Sequence, residues 1–511
     1  MAPMKDIIYV LDFGSQYSHL ITRRIRELGV FAELVPPSIS LAKLTNSKGI
    51  ILSGGPQNLS DSDALRVDKK IYTLGIPILG ICYGMQLTAF ELGGKVQTGK
   101  HREYGSTEVK IKKSAKILQG LKEKQIVWMS HGDQVTKMPK GFVATSGSKN
   151  CPIAGMENAK KKIYCIQFHP EVVHTKNGTK ILDNFLKICK AKRTWSMRDF
   201  ISKSISKIKK DVGKEKVICA LSGGVDSSVA ATMVHRAIGK NLTCIYVDTG
   251  LMRANETKKL KKIFANHLRM NLKIIYAEKE FLNRLKGVTD PEKKRKAVGG
   301  LFIKIFEREA RKLKNVKCLV QGTLYTDAVT SGISIGGKHT AVIKSHHNVG
   351  GLPSKMNLKL VEPLRELYKD EVRQIGRMLR LHKSITERQP FPGPGLAVRI
   401  LGEVTKDRLD TLRLADAIVC EEIEKSGEKL QEYFAVLPNV RSVGVQGDAR
   451  TYGHPIIVRA LTSKELLTVD WAKLPYKLLE KISTRITNEV PGINRVVYDI
   501  TSKPPGTVEW E

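Results

Sequence analysis

Two short runs of this chain combine residue types suited to covalent chemistry. Gly80-Ile81-Cys82-Tyr83-Gly84-Met85-Gln86 sets a cysteine between two glycines, after the apolar run IPIL and before the helix-like QLTAFELGG. Small residues on either side of a nucleophile permit the sharp strand-to-helix turn that exposes it, and a helix N-terminus favours thiolate over thiol. Placed there, Cys82 reads as a nucleophile rather than as core packing. A nucleophile of this kind needs a base. Gln167-Phe168-His169-Pro170-Glu171 follows another apolar run, KIYCIQF, and sets an imidazole near a carboxylate able to orient it. A solvated turn is the alternative.

A second centre lies in residues 217–228, VICALSGGVDSS, followed by the helix-like VAATMVHRAI. An apolar β-branched run, a glycine turn and a helix start make an anion site. Gly223 and Gly224 let the backbone approach an oxyanion, while Ser222, Ser227, Ser228 and the N–H groups around Val225 supply donors. The run lacks the GKS or GKT ending of a P-loop. Asp226 is a candidate magnesium contact, because pyrophosphate normally needs a divalent ion to offset its charge. Strand-end turns at Val247-Asp248 and Gly322-Thr323 are candidates for holding adenine, although Asp248 could equally cap the helix that follows.

These motifs carry resemblances to known families. SGG-x-DS resembles the pyrophosphate loop of the ATP pyrophosphatases, which split ATP into AMP and pyrophosphate. GxCxGxQ and FHPE, in the chain order Cys, His, Glu, resemble class I glutamine amidotransferases. Ser53-Gly54-Gly55-Pro56, Arg102-Glu103-Tyr104-Gly105 and Ser130-His131-Gly132-Asp133 match that family as well. The resemblance implies that Cys82 attacks the glutamine amide, His169 relays the proton and Glu171 orients His169. It also implies an oxyanion held by backbone N–H groups of Gly55 and Tyr83, with Gln86, Ser130, His131, Gly132 and Asp133 around glutamine. The product is ammonia, which water at neutral pH converts mostly to non-nucleophilic ammonium, so an adjoining acceptor site is expected.

An amidotransferase followed by a pyrophosphatase, in this order and length, resembles the glutamine-hydrolysing GMP synthetases across essentially the whole chain. Matching runs are DPEKKRK at 290–296, QGT at 321–323, KSHHNVGGLP at 344–353 and PFPGPGL at 390–396. The resemblance implies that XMP, ATP, glutamine and water become GMP, AMP, diphosphate and glutamate through an adenylyl-XMP intermediate, with Mg2+. It assigns Arg295, Lys344, Pro392, Gly393, Gln446, Lys503 and Glu509 to XMP, and a dimerisation role to the C-terminal segment. KSHHNVGG reads as a phosphate-contacting lid rather than a metal pair, because adjacent histidines in a strand point to opposite faces. The chain departs from the family pattern at Thr326 and Thr330, where proline and an acid are usual, and at Gln389, where histidine is usual.

The elements needed to position these groups are legible. Apolar runs IIYVLDF, GIIL and IPILGI alternate with amphipathic patterns such as HLITRRIREL, and LTCIYV, KIIYAE and VKCLVQGTLY repeat the theme further on. This predicts an α/β chain with two doubly wound parallel sheets. From Val398 the pattern changes to a strand, the long helix DRLDTLRLADAIVCEEIEKSG and a glycine-turned pair of strands, a small α+β domain. The expected borders are 1–192, 193–395 and 396–511.

Composition sets the outer limits. The 511 residues exceed one core, and 41% hydrophobic content without a long apolar run excludes membrane and disordered classes. The N-terminus enters a strand pattern at once, leaving no signal peptide, and the eight cysteines show no CxxC spacing, so a cytoplasmic protein without a zinc site is expected. Net charge is +36, from 86 Lys and Arg against 50 Asp and Glu. A polyanion partner such as nucleic acid is one reading, with a dormant catalytic centre. Solvated helix faces such as KKLKKIFANHL are the other, and the 6% aromatic content, without a stacking platform among the lysines, favours them. An amidotransferase of the same layout with a different acceptor is the enzymatic alternative.

Overall fold

The computed structural model describes residues 6–112, 115–327, 358–462 and 469–511. Lys344, Thr330 and the rest of the KSHHNVGG run lie outside them. The described residues fall into two compact units, one ending at Asp199 and one beginning at Phe200.

The first unit is built on one mixed sheet. Its strands are β1 (Ile7–Leu11), β2 (Phe31–Val35), β3 (Gly49–Leu52), β4 (Ile78–Ile81), β5 (Lys95–Ile111), β6 (Lys124–Lys137), β7 (Val143–Gly147), β8 (Gly155–Asn158) and β9 (Ile163–Ile166), in the order β2-β1-β3-β4-β9-β8-β7-β5-β6. β1 to β4 and β9 are parallel. Strands β3, β4 and β9 are buried along their whole length, which explains why GIIL, ILGI and IYCI read as unbroken apolar runs: helices cover both faces. The expected parallel core is present. It continues into four antiparallel strands that the apolar pattern did not announce. β6 alternates buried and part-exposed positions, the signature of a strand with one wet face. Pairing of β5 with β6 sets Glu103 opposite His131 and Tyr104 opposite Ser130, so two separate motifs become one cross-strand patch.

The second unit opens with the helix Met197–Val212, which begins at the unit border, and a parallel sheet of β10 (Lys216–Ala220), β11 (Leu242–Asp248), β12 (Asn271–Tyr276), β13 (Val316–Val320) and β14 (Lys359–Val361), ordered β12-β11-β10-β13-β14. The chain leaves β10 to one side and returns on the other, so the order reverses between β10 and β13. The crevice at the carboxyl ends of those two strands is where ligands bind in such sheets. The SGGVDSS turn leaves β10 there.

Downstream lie β15 (Glu432–Val436), β16 (Ser442–Gln446), β17 (Ala449–Thr462), β18 (Asp470–Trp471) and β19 (Ile493–Tyr498), all joined to β17 directly. The helix Lys406–Ser426 starts at Thr405, whose hydroxyl accepts from Arg408 N, and stops at Gly427 in the left-handed region. One apolar cluster joins Ile218 and Ile245 of the parallel sheet to Leu409 and Leu412 of this helix and to Ile456 and Val458 of β17. The two segments on either side of residue 395 therefore share a core. The strand expected from Val398 is instead a 3-10 turn, Gly395–Arg399, followed by one bridge between Ile400 and Leu437. Gly395 causes this: its φ is +64°, a Cβ there would lie 2.2 Å from the Leu251 carbonyl oxygen, and Leu396 N donates to that oxygen at 2.8 Å.

Candidate active sites

Cys82 links β4 to the helix Tyr83–Glu91 at φ 52° and ψ −107°, a conformation costly for any residue with a side chain. The surroundings enforce it. Cys82 N donates to Ile166 O at 2.9 Å and Gly84 N to Ser53 O at 3.0 Å. A Cβ on Gly84 would sit 2.3 Å from Leu52 O and one on Gly80 2.7 Å from Gly84 O, so both flanking positions must be glycine.

Buried beside the thiol, His169 places Nδ1 2.7 Å from Glu171 Oε1. That contact leaves the other ring nitrogen for Cys82, whose side chain His169 also hydrogen-bonds. Burial opposes a charged ring, but Glu171 and Cys82 outweigh it and hold the His169 pKa well above its ordinary value. The turn is pinned to β6: His169 N donates to Trp128 O at 3.0 Å, and Thr175 Oγ1 donates to His169 O at 2.6 Å while accepting from Trp128 N at 3.0 Å. Tyr17 meets the His169 ring edge-on with centroids 5.3 Å apart.

The Ser53–Pro56 loop closes the site. Ser53 Oγ accepts from Phe13 N at 3.1 Å and from Ser18 Oγ at 3.1 Å. A Cβ on Gly54 would lie 3.2 Å from His169 Cε1 and 3.7 Å from Cys82 Cβ, and one on Gly55 would lie 3.4 Å from Tyr83 Cγ, so the loop runs directly over the Cys82 side chain. Ser130 O lies 3.7 Å from Cys82 Sγ, and Gln86 Nε2 donates to Asp133 O at 2.7 Å. Asp133 Oδ1 accepts from Thr98 Oγ1 at 2.8 Å, and Gly132 faces Arg102. The structure thus brings Gly55, Tyr83, Gln86, Ser130 and Asp133 to the thiol or to the helix it heads, whereas the His131 ring turns to Glu103, with Nε2 3.3 Å from Oε2. It adds Gln167, whose Nε2 approaches Cys82 Sγ at 3.6 Å; its place in the run QFHPE was the available signal.

In the second unit, Gly223 turns at φ +78° and Gly224 caps the helix Val225–Ile238. Ser222 Oγ and Ser227 Oγ lie 3.0 Å apart, and Gly224 N donates to Ser222 Oγ at 3.3 Å, so these hydroxyls line the turn. Ser228 differs from the expectation. It is fully buried and donates to Gly224 O at 2.7 Å, bracing the loop from behind. Gly322 lies against the helix start, since a Cβ there would be 3.2 Å from the Asp226 carbonyl carbon, and Thr323 Oγ1 donates to Glu362 Oε1 at 2.6 Å. Val247 points its side chain into the core. Asp248 holds its own turn: it accepts from Gly250 N at 3.0 Å and from Thr257 Oγ1 at 2.7 Å.

Two basic residues at this loop were not singled out in the sequence. Lys369 forms an ion pair with Asp226, and Arg388 Nη1 donates to Gly223 O at 2.8 Å while pairing with Glu256. A lysine heading the helix Lys369–Met378 opposes the helix dipole, and that mismatch was a readable hint of an acidic partner.

The residues assigned to the nucleotide divide. Glu509 is not a free acceptor: Arg399 binds it through two contacts, Nε to Oε2 at 3.0 Å and Nη2 to Oε1 at 2.7 Å. Arg399 is fully buried, stacks on Phe434 at 3.9 Å and on Phe391 at 5.2 Å, and also lies 3.5 Å from Glu432. Phe391 leads directly into Pro392 and Gly393, so Glu509 and that loop do meet through Arg399. Arg295 is tied to Glu511 and sits 3.5 Å from Glu292. Lys503 is exposed and its backbone pairs with Val469, while Gln446 ends β16 at the hairpin turn. An arginine inside the apolar run GLAVRIL was the signal for Arg399.

A strained thiol elbow served by a buried His–Glu pair, and in the next unit a parallel sheet whose first strand feeds an SGG anion turn, define a class I glutamine amidotransferase joined to an ATP pyrophosphatase. Family profiles match the chain as glutamine amidotransferase class-I at 9–189, NAD synthase at 196–299 and GMP synthase C terminal domain at 421–510. GMP synthase [glutamine-hydrolyzing] of Clostridium botulinum (strain Kyoto / Type A2) is 54% identical over 512 residues, covering 99% of this chain and 100% of the relative. Those of Carboxydothermus hydrogenoformans, at 55% over 513 residues, and Geobacillus kaustophilus, at 53% over 512, cover the same shares. The chain belongs to the glutamine-hydrolysing GMP synthase family.

Proposed function

We propose the following division of labour within glutamine-dependent GMP synthesis from XMP and ATP, the activity of this family. Cys82 gives its proton to His169 and attacks the glutamine amide. His169 returns the proton to the leaving ammonia, and water then releases glutamate from the thioester. Backbone N–H groups of Gly55 and Tyr83 hold the oxyanion. At the second centre the purine C2 oxygen, a poor leaving group, attacks the α-phosphorus of ATP and becomes adenylyl-XMP with release of pyrophosphate. Ammonia then displaces AMP. The Ser222–Ser228 turn and Lys369 face the departing pyrophosphate and act most strongly as its charge develops.

Among the described residues Asp226 Oδ1 is buried with no hydrogen-bond partner, and an orphaned carboxylate oxygen beside an anion turn fits a magnesium contact. The ion, when bound there, supplies countercharge to the phosphates.

Functional borders at 192/193 and 395/396 are compatible with the three profile matches. Pairing of two chains is supported by an exposed apolar face on the terminal sheet, where Val443 and Val445 of β16 and Tyr452 opposite Val443 are 45%, 74% and 63% exposed. Among the described residues no helix is long and apolar enough to cross a membrane. A cytoplasmic setting is supported by all eight cysteines being free.

The observation carrying this reading is the Cys82 backbone, held at positive φ against a buried base. Cys82→Ala is expected to abolish GMP formation from glutamine and leave formation from added ammonium intact. Loss of both activities overturns the two-centre reading.

A further inference from the structure

Next to the glutamine site, β5, β6 and the loop after β7 bring Glu103, His131 and Cys151 together. One ligand atom from each lies within 4.8 Å of the other two, and all three residues are buried. The amidotransferase steps above use no second thiol, and among the described residues Cys151 Sγ has only the Ile153 carbonyl, at 3.5 Å, as hydrogen-bond partner.

The hydrogen bonding of His131 does not balance for a neutral ring. Its Nδ1 is 3.0 Å from Asp133 O, a group that only accepts, so Nδ1 carries a hydrogen. Its Nε2 is 3.3 Å from Glu103 Oε2, again an acceptor, and a neutral ring turns a lone pair towards it. Nδ1–H on a backbone carbonyl with Nε2 facing a carboxylate and a thiol is how metal-binding imidazoles are oriented. The carboxylate is oriented too: Ser148 Oγ donates to Glu103 Oε1 at 2.8 Å and accepts from Cys151 N at 2.9 Å. Glu103 and Ser148 also line a groove of about 660 Å³, although His131 and Cys151 do not reach its wall.

We propose that Glu103 Oε2, His131 Nε2 and Cys151 Sγ bind one divalent cation of the zinc class, with water in the fourth position. A mixed thiolate, imidazole and carboxylate set selects zinc or cobalt over magnesium. Binding forms the metal–sulfur bond and releases the Cys151 thiol proton to solvent; no electron moves. Because His131 follows Ser130, whose carbonyl lies 3.7 Å from Cys82 Sγ, the ion fixes the strand beside the nucleophile.

Cobalt(II) titrated into the full-length Cys82→Ser protein, which lacks the competing catalytic thiol, tests the site. One ion per chain is expected, with thiolate-to-cobalt charge-transfer absorption. Adding Cys151→Ser removes the absorption, adding Cys420→Ser leaves it, and adding Glu103→Gln weakens binding about 10-fold or more. No charge-transfer absorption in the Cys82→Ser parent, or absorption that survives Cys151→Ser, overturns the proposal. Should Cys151→Ser not fold, unchanged cobalt affinity in Glu103→Gln overturns it equally.

Discussion

At the scale of single residues, the proposed glutamine centre depends on one charge held out of water. Glu171 Oε1 engages His169, and Glu171 Oε2 is buried with no hydrogen-bond partner, so the whole carboxylate charge serves the imidazole. Glu171→Gln keeps the shape and removes that charge. Glutamine-dependent turnover is expected to fall about 100-fold or more, as when an orienting acid is neutralised in a triad, with ammonium-dependent turnover unchanged in the same assay. Glu432 has the opposite problem. Burial, and then the neighbouring Glu509, push its carboxyl up from 4.5 to about 7 despite Arg399. The folded chain therefore binds this proton more tightly than the unfolded chain does. Its contribution to stability is fully present below about pH 4.5 and is lost as pH rises through about 7, a change of up to about 3 kcal/mol. Glu432→Gln removes that dependence, so its melting temperature relative to the parent is expected to be higher at pH 8 than at pH 5. An equal offset at both pH values would show that Glu432 does not titrate in this range.

At the scale of elements, the strand-turn-helix at Cys82 works because nothing larger than hydrogen fits beside it. Gly84→Ala would press a methyl group onto Leu52 O and Leu52 Cβ, at 2.3 and 2.7 Å. Overpacking of this kind costs about 1–3 kcal/mol. A lowered melting temperature and loss of glutaminase activity are expected together, measured by calorimetry and glutamate release; a stable, active Gly84→Ala would mean the elbow is not the rigid device described. The same scale shows where reading from sequence stops. Residues 80–86 and 222–228 were legible because strand, turn and helix follow each other within one short run. The β5–β6 pairing was not, because Glu103 and His131 are 28 residues apart and only register brings them face to face. The Gly395–Arg399 turn was not, because the apolar letters of GLAVRIL suit a strand equally well and the deciding contact is with distant Leu251.

At the scale of the whole chain, the lysine excess is dispersed over exposed positions, a few of them paired with acids on their own helices, such as Lys187 with Asp183 and Lys425 with Glu421. Such pairs contribute little stability. The exposed face of β16 and β17 is the more specific feature. Val445→Asp places a charge in its middle. If two chains pair through this face as proposed above, the parent sediments as a dimer and the variant as a monomer of little altered melting temperature in sedimentation velocity; a monomeric parent, or a dimer unchanged by the substitution, would exclude this face.

By itself the amino-acid order determined the two α/β sheets, the Gly-Cys-Gly elbow, the His-Pro-Glu run and the SGG turn, because each is set by neighbours within a few residues. Tertiary structure alone decided that Arg399 occupies Glu509, that Lys369 answers Asp226, that one core joins the segments on either side of residue 395, and that a thiol, an imidazole and a carboxylate meet near Ser130. Those outcomes depend on the burial of charge and on strand register, and both are fixed by contacts between residues far apart in the chain.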